Sequence, residues 1–199
     1  MIEHSLAQHI YKIEKFQDRG LAIYLSFRGK VTIQIIGIYE YANKTERRKC
    51  GKALTSWINE QITNAQKKHH IPLVMGDFNG VVNPKIDRVN SNLKKTETKI
   101  LETLQYKGFQ DCYRLINGRE RKFTFYKQDL DHNRRPASRI DQIWILMDHA
   151  NNLINAKIVD TEFSAFSDHN AMTININNRK YTNNKQYNKN RRHRRIKRL

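Results

Sequence analysis

The stretch Ile71-Pro72-Leu73-Val74-Met75-Gly76-Asp77-Phe78-Asn79 decides the fold. A short apolar run, ended by glycine and followed at once by an acid and an amide, predicts a buried strand with chemistry at its C-terminal end. In extended backbone Asp77 and Asn79 project to the same side, where a carboxylate and an amide can hold a hard cation or orient a water. The bland alternative is a turn at Gly76-Asp77 with Asn79 as an Asx cap.

Upstream, Leu21 to Phe27 alternates apolar and smaller or polar residues, and Val31 to Tyr39 is rich in β-branched residues, with Arg28-Gly29-Lys30 between them. This pattern predicts a β-hairpin. Thr45 with Glu46 opens a helix that places Leu54, Trp57, Ile58, Ile62 and Ala65 on one face. Downstream, Val81 to Lys95 is a polar loop, and a second helix fits Thr96 to Tyr106 with Gly108 as its stop. Phe123 to Tyr126, Ile140 to Leu146, Ala156 to Phe163 and Ala171 to Ile176 have strand length and composition. Strands and helices without regular alternation point to an α/β protein in which sheets pack together with helices outside.

The chain of 199 residues carries 37 Lys+Arg against 19 Asp+Glu, a formal charge of +18. Residues 179–199 hold ten of those cations and no acid, which leaves 27 basic and 19 acidic residues, or +8, before them. This end segment lacks the apolar periodicity needed to bury it and is expected to be a disordered basic tail behind one domain spanning 1–178. A body and tail of one sign attract a polyanion, and nucleic acid is the first partner to consider. Arg191, Arg192, Arg194 and Arg195 could release phosphate counterions or act as a nuclear import signal; the alternative is a merely solvating tail. No apolar run approaches the ~20 residues that span a bilayer, and the first residues lack a signal-peptide pattern, so an intracellular protein is expected. Cys50 and Cys112 are too few for a disulfide framework or a cysteine-built zinc site.

Two further polar groups stand at ends of expected strands: Ser138-Arg139-Ile140-Asp141 and Ser167-Asp168-His169-Asn170. Asp141 is an acid inside an apolar strand and needs a cationic partner. If His169 is that partner, the carboxylate fixes the ring tautomer and favours the protonated ring beside a phosphate. If Arg139 is, the pair is structural.

The order Tyr39, Gly76-Asp77-Phe78-Asn79, Ser138-Arg139-Ile140-Asp141, Ser167-Asp168-His169 resembles the endonuclease/exonuclease/phosphatase superfamily, in particular apurinic-endonuclease-like and retrotransposon endonuclease domains. The likeness runs from about Leu21 to Ile176. It implies a DNase I-like two-sheet sandwich with helices on both outer faces and the cleft at one edge of the packed sheets. It further implies a Mg²⁺- or Mn²⁺-dependent phosphodiester hydrolase acting on nucleic acid, DNA rather than RNA. In that family pattern Asp77 orients or deprotonates the attacking water and Asn79 positions the phosphate. His169, held by Asp141, stabilises the transition-state oxygen. Asp168, with Asp77, ligates the cation, and Tyr39 contacts the phosphate. Arg139 and Tyr126 are expected on the nucleic-acid face, with Phe123, Phe125 and Tyr126 equally readable as core. The resemblance fails at two places. The strands that carry an Asn and a metal-binding Glu in the family precede the region matched by Leu21, and here only Glu3 and Glu14 answer by residue type. The Pro expected two positions after Tyr39 is Tyr41. A truncated domain with weak metal affinity is therefore expected. The competing functions are a non-catalytic nucleic-acid-binding remnant and a phosphatase or lipid phosphodiesterase of the same superfamily.

Overall fold

The computed structural model describes residues 3–29, 31–89, 98–127, 136–161 and 167–177. In chain order these form α1 (His4–Ala7), β1 (Ile10–Phe16), β2 (Gly20–Phe27), β3 (Val31–Tyr39), α2 (Lys44–Lys67), β4 (Ile71–Asp77), α3 (Pro84–Asp87) and β5 (Arg88–Val89). There follow α4 (Lys99–Tyr106), β6 (Phe109–Asp111), α5 (Cys112–Asn117), β7 (Phe125–Tyr126), β8 (Ala137–Ser138), β9 (Asp141–Leu146), a 3-10 turn over Met147–Asn152, β10 (Leu153–Val159) and β11 (Ala171–Ile176).

Six strands make the main sheet in the order β1-β2-β3-β4-β9-β6. The hairpin is present in the expected register, Phe27 opposite Val31 and Leu21 opposite Gly37. β3 and β4 run parallel, with Ile33 beside Ile71 and Tyr39 beside Asp77. Such a pair needs a long crossover, and α2 supplies it. Asn43 caps this helix by accepting the Thr45 amide, so the helix opens just ahead of the expected Thr45. Leu54, Ile58, Ile62 and Ala65 recur at spacings of three and four and are fully buried, the first three in one cluster with Ile36, Ile38 and Val74. Each large aliphatic side chain so placed contributes about 1.5–3 kcal/mol of transfer free energy. α4 joins the same core through Ile100, Leu101 and Leu104, capped by Thr98.

The opposite face of the sheet is covered by the two-stranded sheet β10-β11, which packs Ala156, Met172, Ile174 and Ile176 onto Leu73, Ile143 and Ile145. The expected two-sheet α/β architecture with flanking helices is therefore present. A third small sheet, β5-β8-β7, is joined through the bridge between Phe125 and His169 to the loop before β11. Some expectations shift. The polar loop from Val81 contains α3 and β5; the strand read from Ala156 to Phe163 runs from Leu153 to Val159; the strand read from Ile140 begins at Asp141; and of Phe123 to Tyr126 only Phe125–Tyr126 pair as a strand. The basic tail, with Arg191, Arg192, Arg194 and Arg195, lies outside the described residues. Among the described residues no helix is long and apolar enough to cross a membrane.

Candidate functional site

The main sheet brings its acids together by register. β4 pairs with β9 so that Asp77 stands opposite Asp141, and β3 places Tyr39 beside Asp77 on the other side. Side chains at directly opposed positions share one face of a sheet, so Tyr39, Asp77 and Asp141 line the same end of the face that β10-β11 partly covers. The loop before β11 adds His169, tied in by an isolated bridge to Phe125 with ring centroids 5.1 Å apart. Asp77, Asp141 and His169 then present ligand atoms that all lie within 4.8 Å of one another.

His169 Nδ1 and Asp141 Oδ2 are 2.8 Å apart. The backbone at both partners is fixed: the Asp141 amide donates to Thr124 Oγ1 at 3.0 Å and the His169 amide to Ser167 Oγ at 3.1 Å. This resolves the two readings of Asp141 in favour of His169. Arg139 is fully buried, with Nε on Asp87 Oδ1 at 2.9 Å and Nη2 on Asp111 Oδ2 at 2.5 Å. The expectation that Arg139 contacts nucleic acid is thus corrected: its guanidinium is spent inside the fold. Its neighbour Gln142 is buried too, donating to the Gly80 carbonyl at 2.9 Å and accepting from Trp144 Nε1 at 3.0 Å, which braces the turn that follows Asp77.

Asn79 does not continue the strand. Its φ is +44°, a left-handed conformation that Asn tolerates better than most residues, and its amide donates to Asp77 Oδ1 at 2.7 Å. The side-chain Nδ2 donates to the Glu40 carbonyl at 2.8 Å and to Asp77 Oδ2 at 3.2 Å. Both of its hydrogens have protein acceptors, so the Asn79 side chain braces Asp77. Gly76 makes this turn possible, since at φ +137° a Cβ would fall 1.9 Å from the Ile38 carbonyl oxygen.

Burial pushes the Asp77 carboxyl up to about 6, with the Asp141 charge adding to the shift and the Asn79 amide, His169 and Arg47 opposing it. Two carboxylates held together with one imidazole leave negative charge that a hard cation would relieve. Magnesium is often bound by one or two protein carboxylates plus water and substrate phosphate, and this donor set fits that pattern. Asp168 is exposed and is not a member of the three-residue group, although its carbonyl accepts the Tyr126 amide at 3.1 Å. Glu14 lies on the edge strand β1 and on the face packed by α2, where Lys12 at 2.6 Å and the Tyr24 hydroxyl hold its carboxyl below the ordinary range. Glu3 is exposed beside α1. Neither glutamate joins the site.

Four residues here were not anticipated. Arg19 lies between the Tyr39 and Tyr41 rings, 4.5 and 4.6 Å from their centroids. Arg47 donates to the Tyr41 carbonyl at 2.9 Å and to the Asn79 carbonyl at 3.2 Å, pinning the β3 and β4 exits together. Glu40 is buried, which raises its carboxyl above the ordinary range, and its amide donates to the Asp77 carbonyl at 2.8 Å. Thr124 sits in an aromatic run that gave no sign of its hydroxyl's task. A charge enclosed by Tyr39 and Tyr41 was the one visible hint for Glu40.

No protein-family model matches this sequence, and no curated protein matches it. Solved structures do. A 3′ phosphatase, NExo, from Neisseria, bound to a product DNA hairpin, is 19% identical with a TM-score of 0.65, over 84% of this chain and 71% of that one. The endonuclease domain of TRAS1, a telomere-specific non-LTR retrotransposon, is 17% identical with a TM-score of 0.57, over 87% and 70%. An AP endonuclease from Archaeoglobus fulgidus is 19% identical with a TM-score of 0.62, over 84% and 71%. The chain shares the fold of these structures, a DNase I-like fold.

Proposed function

We propose that this protein hydrolyses phosphodiester bonds of nucleic acid, DNA in preference to RNA, as a divalent-metal-dependent endonuclease. The observation that carries the reading is the convergence of Asp77, Asp141 and His169 within 4.8 Å at one end of the packed sheets. Asp77, half-buried and titrating near 6, is matched to accept a proton from water at neutral pH. The water oxygen bonds to phosphorus as its proton passes to Asp77, and the P–O bond to the leaving strand breaks. His169, oriented through Nδ1 by Asp141, is left with Nε2 for a phosphate oxygen, and in its protonated form opposes the charge that develops there. Mg²⁺ or Mn²⁺, held by the Asp77 and Asp141 oxygens with Asp168 at the rim, would supply further charge neutralisation. Tyr39, 48% exposed and stacked on Arg19, offers its hydroxyl to the phosphate, and Tyr126 its ring to the nucleic acid.

A second reading, nucleic-acid binding without catalysis, is favoured by the occupied Asn79 amide and by the exposure of Asp168 outside the three-residue group. Nicking of supercoiled plasmid with Mg²⁺ separates the two. The proposal requires nicking that Asp77→Asn and His169→Ala each abolish; nicking no greater than that of the two variants leaves binding alone. Removing residues 179–199 takes away ten cations. The log–log dependence of DNA affinity on salt is expected to flatten accordingly, by close to one unit of slope for each phosphate that the tail neutralises. An unchanged slope would make the tail a bystander.

A further inference from the structure

α2 carries its charge at one end. Its first nine residues hold Lys44, Arg47, Arg48, Lys49 and Lys52 against Glu46, a net +4, whereas the fifteen from Ala53 to Lys67 hold only Glu60 and Lys67 and balance to zero. The helix dipole favours acids in the first turn and cations in the last, so this order works against the stability of the helix. A merely solvated face gains nothing from it; a face that meets a polyanion does.

The basic end is fixed beside the site. Arg47 is half-buried and donates to the Tyr41 carbonyl and to the carbonyl of Asn79, two residues past Asp77. That guanidinium is engaged inside the protein, and it ties the first turn of α2 to the exit of β4. Lys44, Arg48, Lys49 and Lys52 are exposed, and none of the four forms an ion pair among the described residues. Lys44, Arg48 and Lys52 recur every four residues, a row about 12 Å long with neighbours about 6 Å apart along the axis. Arg48 stands nine residues, or two and a half turns, from Trp57, which packs on Phe16 of β1. Lys52 stands eleven residues, or three turns, from Thr63, the residue that Lys107 beyond α4 reaches at 3.4 Å. The row therefore turns away from β1 and lies on the α4 flank of the helix.

We infer that this row is a strand-binding ridge, on which Lys44, Arg48 and Lys52 contact successive backbone phosphates of the nucleic-acid strand to one side of the bond that the site cleaves. The inference rests on the reading of the site as one that acts on nucleic acid. Each nucleotide brings one negative charge, and cations repeated in line along a rigid helix meet that backbone without reading its bases, fixing register and orientation. Side chains make the contact, since Asn43 already accepts the Thr45 amide at the helix end. Lys49, one position further round the helix, adds to the local field.

Fluorescence anisotropy of a labelled DNA duplex with the full chain in EDTA, at about 50–200 mM salt, tests the ridge in the absence of cleavage. Arg48→Gln and Lys52→Gln should each lower the log–log salt slope by about 0.9 and weaken binding at about 0.1 M salt roughly 5–10-fold; adding Lys44→Gln to both should lower the slope by about 2–3 units. Lys67→Gln, exposed at the far end of the same helix, should change neither. A triple variant with the slope and affinity of the parent overturns the inference, as does an equal loss in Lys67→Gln. Melting temperatures of the ridge variants should hold or rise, because each removes a cation from the start of the helix. Should a variant unfold, lysine acetylation of the unaltered chain decides: protection of Lys44 and Lys52 by DNA, with Lys67 unprotected, supports the ridge, and unchanged reactivity of Lys44 and Lys52 overturns it. Nicking is scored separately. Lowered slopes in a chain that does not nick keep the ridge and remove the endonuclease reading; unchanged slopes in a chain that nicks keep that reading and remove the ridge.

Discussion

Two clusters of acids and cations lie a few residues apart in the sequence, and they have opposite designs. Arg139 and Arg114 meet Asp87 and Asp111 in a group balanced in charge, where Arg139 has no exposed surface and Asp87 only 1%. Asp77 and Asp141 meet a single imidazole at the open end of the sheet, with the His169 and Asp141 side chains 32% and 22% exposed. In the first cluster burial works against the Arg139 charge, but Asp111 and Asp87 more than offset it, so the guanidinium stays charged more firmly than a free one. In the second, burial and an unbalanced neighbour push the Asp77 carboxyl up to about 6. The same residue types are inert where every charge is matched and poised for proton transfer where one charge too many is kept.

If that contrast is right, the two clusters fail in different ways. Arg139→Met removes the cation shared by two buried carboxylates and should cost about 3–5 kcal/mol of stability, read as a lower urea midpoint or outright loss of the folded state. His169→Ala should leave the midpoint within about 1 kcal/mol of the parent while plasmid nicking falls by about 10²–10⁴-fold. A His169 variant that unfolds, or an Arg139 variant that is stable but inactive, would reverse the assignment of roles.

The next effect is smaller and reverses the usual expectation for an active-site change. Asp77 titrates near 6 in the folded protein against 3.8 in an unperturbed chain, so the folded state holds its proton more tightly. Its effect on stability is therefore most favourable below pH 3.8, declines as pH rises to about 6, and stays unfavourable above. At about 1.4 kcal/mol per pKa unit the full shift is near 3 kcal/mol, nearer 1–2 after screening by the water that reaches the group. Asp77→Asn should accordingly raise stability at pH 7 by about 1–2 kcal/mol and lose that advantage near pH 4, while nicking by the parent rises through about pH 6. Thermal melts of both proteins across that range check the sign; a variant less stable at pH 7 would mean the carboxylate is held favourably after all.

What the sequence made legible follows the same divide. The β2-β3 hairpin, α2 and β11 were readable because each satisfies a strict period, apolar at every second or at every third and fourth position, and only one register buries that set; β4 was readable as a short continuous apolar run ended by glycine. β6 spans three residues and β5, β7 and β8 two each, too short for any period to declare itself; α3 follows from an Asn-Pro cap inside a polar stretch. In the site, Asp77, Asp141 and His169 were nameable because an acid in an apolar strand demands a partner. Which cation supplied it, His169 or Arg139, turned on tertiary geometry alone. Asn79 departs from the extended backbone expected of it, since its left-handed φ turns the amide onto Asp77. Glu40, Arg47 and Thr124 act through backbone carbonyls, amides or hidden hydroxyls, which leave no pattern in spacing.

The smallest predicted effect probes the border between the poised cluster and its surroundings. Arg19 holds the Tyr39 ring by stacking, a contact that needs the ring face and not the hydroxyl. Tyr39→Phe keeps that stack, so the melting temperature should not move. If the hydroxyl reaches the phosphate, nicking should fall on the order of tenfold, the worth of one hydrogen bond to a charged group. If the ring alone matters, nicking should be nearly unchanged in Tyr39→Phe and abolished in Tyr39→Ala. The same pair of variants then shows whether the poised region ends at the three-residue group or extends across β3, where Tyr39 stands beside Asp77 in the parallel register.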